Sequence, residues 1–286
     1  GNRADLAAGY RRIDEIDAGR RQFGVDRSGR RRRNGAHVDG DQAGRRAEAG
    51  QDREAVRAAG FFRILQPRRW GGWEMSPEAF YEVVMELGRG CGSSAWNLMI
   101  LGVHQWEMGQ FSEQAVQEVW GADNQVLLSS SYAPFGTARK VEGGYVLNGT
   151  KQFISGAGAN EIYAVMVRTG EDGPKGISCL VIEKDMPGVS FGANERKLGW
   201  HSQPTAQLIL EDVRVPVENL VGGEGEGFRI AMMGLDGGRL NIGACSLGGA
   251  QRCLDEAIKY TKERTQFGQA VADFQNTQFM LADMAT

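Results

Sequence analysis

Little in this sequence of 286 residues suits a structural metal or a disulfide framework. Its four cysteines, Cys91, Cys179, Cys245 and Cys253, have no C-x-x-C spacing, and only three histidines occur. Zinc and disulfides are therefore not expected, and free thiols fit a reducing, cytoplasmic compartment. No run reaches the about 18 apolar residues needed to cross a bilayer. The N-terminus also lacks the apolar stretch of a secretory signal, so export is not expected. Acidic and basic residues nearly balance, 36 against 33, for a formal net charge of -3. That gives no reason to expect nucleic acid or a membrane as partner. What remains is ordinary soluble composition, 41% hydrophobic and 24% charged, in a chain long enough for two or three domains.

Residues 1–51 read differently from the rest. RRQFGVDRSGRRRRNGAHVDGDQAGRRAEAGQ alternates arginine, glycine and aspartate with almost no aliphatic residue, and nothing recurs at a helical or strand period. Such a stretch has no face to bury, so a disordered or out-of-frame tail is expected. A basic arm centred on Arg30, Arg31, Arg32 and Arg33 is the other reading. Interspersed aspartates and the lack of any lysine before Lys140 argue against it.

Helical patterning runs over 52–124. A helix ends at Gly60; PEAFYEVVMELGRG starts one at Pro77 with Phe80, Val83, Val84 and Leu87 on one face. SSAWNLMILGVHQWEMGQF is apolar all round, hence buried, and SEQAVQEVWG has Ser112 as N-cap. Over 125–223 the period shortens. QVLLSSSYAP, GGYVLNGTKQFIS, NEIYAVMVRT, GISCLVIEK and TAQLILEDVRVP are β-branched or aromatic runs separated by Gly, Asn and Pro, which predicts an antiparallel β domain. From 224 to 286 the helical period returns. One long helix carries Leu247, Leu254 and Ile258 on a face, and its costly Gly237–Gly238 pair is expected to pack closely against a ligand or another helix. The order is helices, strands, helices: an α+β fold.

Several motifs, in order, carry a resemblance. GGYVLNGTKQFISGAGANEIYAVMVRT, KLGWHSQPT, LILEDVRVPVENLVGGEGEGF and ERTQFGQAVADFQNTQFMLADMAT resemble the acyl-CoA dehydrogenase family, above all its short branched-chain members. The likeness covers about Gly143 to Thr286. It implies a helical domain, a middle β domain and a C-terminal helical bundle, with FAD as cofactor. The part before it, including FFRILQPRRWGG and LLSSSYAPFGTARKVEGGY, resembles flavin-dependent aromatic monooxygenases of the same fold, with a seam near Thr150.

The family's reaction removes one hydrogen of an acyl-CoA thioester as a proton and the neighbouring one as hydride. By resemblance, Phe153, Ile154 and Ser155 of the K-x-[FW]-I-[ST] strand flank the isoalloxazine. A flat apolar side chain and a short hydroxyl suit a planar heterocycle, although an ordinary strand end would read the same. Arg264, Gln266, Phe267 and Gln275 match the R-x-x-F-G…Q pattern, whose residues reach the FAD of a neighbouring subunit. The resemblance thus implies a homo-oligomer, a homotetramer. Arg264 could equally complement a helix C-terminus, with Gly268 as the stop. Leu235, Asp236, Arg239 and Ile242 would line the acyl-CoA channel, although Asp236 and Arg239 also read as an exposed i,i+3 pair.

No catalytic residue is expected within the chain. Gly238 stands where some relatives carry the catalytic glutamate, and the other arrangement places it beyond Thr286, in a bundle of which FQNTQFMLADMAT would be the start. His104 and the Ser129–Ser131 run could serve the monooxygenase alternative, or His104 could be a hydrogen-bonded core residue. GGEGEGF reads as a turn, since Glu224 and Glu226 would repel a phosphate. The function expected is α,β-dehydrogenation of a short or branched acyl-CoA. An electron-transferring flavoprotein is the acceptor by resemblance. An aromatic hydroxylase or a non-catalytic flavin-binding module are the alternatives.

Overall fold

The protein was analysed as a computed structural model that describes residues 52–286. The tail assigned to 1–51 and its arginine cluster lie outside the described residues. A helical stretch over 52–58 ends in a turn at Gly60, whose φ of 77° is the left-handed conformation glycine adopts without strain. Helices α1 (Pro77–Gly90), α2 (Gly92–Met108) and α3 (Glu113–Trp120) follow. Ser76 and Ser112 cap α1 and α3, each accepting a hydrogen bond from the backbone N–H three residues on. Phe80, Val83, Val84 and Leu87 are buried as the pattern requires, and α2 is buried along most of its length.

The strands are β1 (Leu128–Ser131), β2 (Thr137–Val141), β3 (Gly144–Ser155), β4 (Ile162–Arg168), β5 (Ile177–Glu183), β6 (Val189–Phe191), β7 (Thr205–Pro216) and β8 (Leu220–Val221). They form one sheet in the order β6-β7-β3-β2-β4-β5-β8, with β1 on β4. The expectation of a wholly antiparallel domain is corrected here. β1 runs parallel to β4 from Leu128↔Ile162 to Ser131↔Val165, and β2 meets β4 in parallel at Thr137↔Arg168. Parallel partners need a long connection, and the β2–β3 hairpin, inserted between β1 and β4, supplies it.

β4 is buried on both faces. Tyr163, Val165 and Val167 point into a core shared with β2, β3, β5 and β7. Ile162, Ala164 and Met166 point into an outer core with Met108, Val116, Trp120, Ile230 and Ala231 from the helices. That double burial is why its sequence is an unbroken apolar run rather than an alternating one.

Helix α4 (Gly227–Glu263) closes the N-terminal helices into a third core, to which it contributes Ala244 and Cys245. No other helix packs closely on Gly237 or Gly238; a Cβ at either would meet no protein atom within 4 Å. Close helix packing occurs instead at Gly248, where a Cβ would lie 2.1 Å from the Met85 carbonyl oxygen and 2.9 Å from the Gly88 Cα. Of the face carrying Leu247, Leu254 and Ile258, Leu247 is 61% exposed and the other two are half-buried.

The chain then makes a small hairpin, β9 (Thr265–Gln266) with β10 (Gln269–Ala270), and ends in α5 (Gln275–Ala285). Gly268 is therefore not the helix stop. The helix ends at Glu263, Arg264 is extended, and Phe267–Gly268 form a two-residue hairpin turn with φ of 52° and 83°.

Candidate active site

The end of β3 is the most irregular part of the sheet. Lys151 pairs with Leu208 and Ile154 with Ala206, so three steps along β3 match two along β7. This one-residue bulge turns Gln152 and Phe153 outward in succession. Phe153 takes the strain, with φ of 58°, and its ring is 69% exposed. A bulky residue in the left-handed region is uncommon and is held there only by well-determined surroundings.

Those surroundings are visible. Ser129 of β1 donates its hydroxyl to the Ser155 carbonyl at 2.5 Å and accepts from Asn160 Nδ2 at 2.7 Å. The Tyr163 hydroxyl accepts from the Gly158 N–H at 2.9 Å and lies 3.1 Å from the Gly156 carbonyl oxygen. Gly156 has φ of 82°, and a Cβ there would lie 2.6–2.8 Å from Asn160 and the Ser129 hydroxyl, so the turn admits no side chain. On the opposite flank Lys151 is buried, its ammonium donating to the carbonyls of Ala133, at 3.0 Å, and Met166. Burial lowers its pKa to about 7. Ile154 is buried and anchors the bulge, and Ser155 is half-buried beside Phe153. An aromatic face left open beside a serine on a fixed turn fits a flat heterocycle such as FAD's ring system.

A second cluster lies where β1 meets α2. The Glu107 carboxylate is buried; Ser130 donates to it at 2.9 Å and the Tyr132 hydroxyl lies 3.3 Å away. His104 Nε2 is 3.7 Å from the same oxygen. Burial dominates both acid–base groups, raising Glu107 to about 7 and lowering His104 to about 4, so the imidazole is neutral at neutral pH. His104 is a core residue here, and of the three serines only Ser130 touches this carboxylate. Sequence reasoning passed over Glu107 and Tyr132. The available signal was a lone acid inside an otherwise apolar helix, which must be neutral or hydrogen-bonded.

Tyr132 links this cluster to α4, since a Cβ on Gly234 would lie 2.5 Å from its hydroxyl. The neighbouring residues Leu235 and Ile242 are half-buried. Asp236 and Arg239 form a 2.7 Å ion pair, both side chains more than 70% exposed. Arg264, Gln266, Phe267 and Gln275 are all exposed, on or beside the hairpin beyond α4. Phe267 is 95% exposed and makes an edge contact with Phe274, ring centroids 6.4 Å apart. The residues read as cofactor-binding thus fall in two separate places, the bulge and the hairpin. A third exposed aromatic, Trp200, has φ of 53° and stacks on Trp96 at 3.9 Å, its loop tied down by Lys197.

Two family models match: the acyl-CoA dehydrogenase middle domain over residues 123–213 and the acyl-CoA dehydrogenase C-terminal domain over 225–286. Mitochondrial isobutyryl-CoA dehydrogenase of Dictyostelium discoideum is 65% identical over 143 residues, which is 50% of this chain and 34% of that protein. Butyryl-CoA dehydrogenase from Megasphaera elsdenii has a similar solved structure, with a TM-score of 0.82 and 28% identity over 99% of this chain and 74% of that one. A structure titled for the electron transferring flavoprotein of Acidaminococcus fermentans matches with a TM-score of 0.74 and 33% identity, covering 88% of this chain and 76% of that one. The chain belongs to the acyl-CoA dehydrogenase family. Its matched part spans about a third of the length of the curated isobutyryl-CoA dehydrogenases. The middle-domain model also runs across residue 150, near which the likeness to aromatic monooxygenases ends. The isobutyryl-CoA dehydrogenases of Dictyostelium discoideum and Bos taurus match at 65% and 57% identity.

Proposed function

We propose that this chain provides the flavin wall and part of the acyl channel of an FAD-dependent dehydrogenase for short or branched acyl-CoA thioesters. The observation that carries the reading is the bulge at Gln152–Phe153, which spends backbone strain to hold an aromatic ring in the open beside Ser155. The identity to isobutyryl-CoA dehydrogenase of Dictyostelium discoideum supports the substrate class. Bound FAD would supply the hydride acceptor. This chain's part is to cover one face of the ring with Phe153, to offer Ser155 as a hydrogen-bonding group, and to seat both on Ile154. Leu235 and Ile242 would border the acyl group, with Asp236 and Arg239 at the channel mouth. No base is assigned, because Gly238 has no side chain to act as one.

Arg264, Gln266, Phe267 and Gln275 would serve the FAD of a second copy, which makes the working form a homo-oligomer, in our reading a homotetramer. Their exposure supports this, since the guanidinium of Arg264 could make charge-assisted bonds to a pyrophosphate. We further propose domains at 52–124, 125–223 and 224–286, an electron-transferring flavoprotein as acceptor, and a cytoplasmic location. No helix among the described residues is long and apolar enough to cross a membrane.

Titrating the chain with oxidised FAD, followed by flavin fluorescence, tests the reading. Saturable binding should be weakened about tenfold or more, roughly 1.4 kcal/mol, by Phe153→Ala. Unchanged affinity in a folded Phe153→Ala protein would remove the wall from its proposed place.

A further inference from the structure

A groove of about 860 Å³ lies on the far side of the outer core, between α3 and the edge of the sheet formed by β5 and β8. It contains none of the residues assigned to flavin or thioester. Its floor is apolar: Phe111, Ala115, Val119, Val126, Val181 and Val221 pack on the outer core yet are only partly buried. Its rim is acidic. Glu118 stands on the helical wall, Glu161, Glu183 and Asp185 near the strand ends, and Glu218 in the turn before β8, against one cation, Lys184.

Two of these carboxylates already have work. Glu118 accepts from Gln114 at 2.9 Å, and Glu161 accepts from the Leu127 N–H at 3.1 Å. Glu183, Asp185 and Glu218 make no ion pair among the described residues. Such a rim repels the phosphates of an acyl-CoA, so the groove is not a second thioester site. An apolar strip flanked by carboxylates on both walls matches an amphipathic ligand whose cations flank an apolar face.

We propose that this groove is a docking site for a basic amphipathic segment of a partner protein. The apolar face of the segment lies on Phe111, Val119, Val126 and Val181, and its lysines or arginines reach Glu118 on one side and Glu183, Asp185 and Glu218 on the other. Association is accelerated by the rim and weakened by salt, since the rim charges are exposed.

The test is fluorescence anisotropy of a labelled synthetic peptide, an amphipathic helix of leucines on one face and lysines and arginines on the other, titrated with the full chain. The probe should bind saturably, and the affinity should fall about tenfold or more in a Glu183→Lys/Asp185→Lys/Glu218→Lys variant. These three side chains are exposed or at the surface rim, so the variant should keep the far-UV circular dichroism of the parent. A second variant, Val119→Asp, places a charge on the floor and should weaken binding without touching the rim. A scrambled peptide of the same composition should bind more weakly than the amphipathic one. Equal binding of the scrambled peptide, equal binding by both variants, or no binding by the parent would overturn the proposal. Slow tryptic cleavage after Arg30–Arg33 in the parent, made fast by the charge reversal, would assign the groove to this chain's own arginine segment and overturn the partner.

Discussion

The same substitution, glycine to alanine, should have opposite effects at two places in α4. At Gly248 the helix backbone touches α1: a Cβ would sit 2.1 Å from the Met85 carbonyl oxygen and 2.9 Å from the Gly88 Cα. The contact is reciprocal, since a Cβ on Gly88 would meet the Cys245 carbonyl oxygen at 2.9 Å and the Gly248 Cα at 3.2 Å. No flexible side chain can yield, so Gly248→Ala must push the helices apart by roughly an ångström to recover van der Waals distance. That disturbs the core of Val84, Leu87, Ala244 and Cys245. Overpacking of this kind costs about 1–3 kcal/mol, against which alanine returns about 1 kcal/mol of helix propensity. At Gly237, with nothing within 4 Å, only the propensity gain remains. An approach of 2.1 Å to fixed backbone belongs at the upper end of that cost, so Gly248→Ala should lose about 2 kcal/mol and Gly237→Ala gain up to about 1 kcal/mol. Melting followed by circular dichroism should separate the two variants by several degrees, at about 2–4 °C per kcal/mol. A Gly248→Ala protein as stable as the parent, or a destabilised Gly237→Ala protein, would refute the helix contact.

Three further outcomes follow from buried or strained side chains. Glu107 keeps its proton up to about 7 in the fold, whereas its ordinary value is 4.5, so the native state holds a proton the unfolded chain has lost and stability falls as pH rises through that window. Glu107→Gln, still facing Ser130, Tyr132, His104 and Cys179, should remove about 3 kcal/mol of that loss between pH about 4.5 and about 7; parallel stability–pH curves for parent and variant would contradict it. His104 acts at the acid end, its value lowered from 6.5 to about 4, so its neutral form contributes stability that is lost as pH falls through that range. Trp200→Ala should cost about 1 kcal/mol through loss of the stack on Trp96 and remove a near-ultraviolet dichroism band; an unchanged spectrum would mean the rings do not stack in solution.

Local signals carried much of the fold. The caps at Ser76 and Ser112 and the one-sided face of α1 are written within one or two helical turns. Nonlocal geometry was not legible in the same way. Whether β1 runs parallel or antiparallel to β4 depends on what lies between them in space, and the β2–β3 hairpin decides it. The adjacent Gly237–Gly238 pair is conspicuous in the sequence, yet the tight helix contact at Gly248 needs a partner glycine, Gly88, far away in sequence. The Phe153 bulge has no glycine or proline at the slipped step to announce it. It follows from Lys151 and Ile154 both being buried, and with alternate faces that requires an extra residue between them. Glu107 was hidden for a related reason: its partners, Ser130 and Tyr132, lie on a strand that joins it only in three dimensions.

Strain is distributed in a way that bears on the site. Five non-glycine residues among those described have positive φ, and three of them, Phe153, Trp200 and Phe267, are exposed aromatics. A left-handed backbone at a bulky residue costs of order 1–3 kcal/mol, and exposing the ring forgoes the burial that would offset it. Each is held by a different device: a bulge backed by Ser129 and Lys151, a loop tied by Lys197, and a two-residue hairpin turn. All three lie in stretches whose motifs carry the family likeness. The strain at Trp200 is offset within the chain by its stack on Trp96, whereas Phe153 at 69% and Phe267 at 95% exposure recover little by packing, and glycine would be less strained at both. The rings of Phe153 and Phe267 have a physical purpose if each meets a surface outside this chain. That surface would be a flat cofactor against Phe153 and a second copy against Phe267.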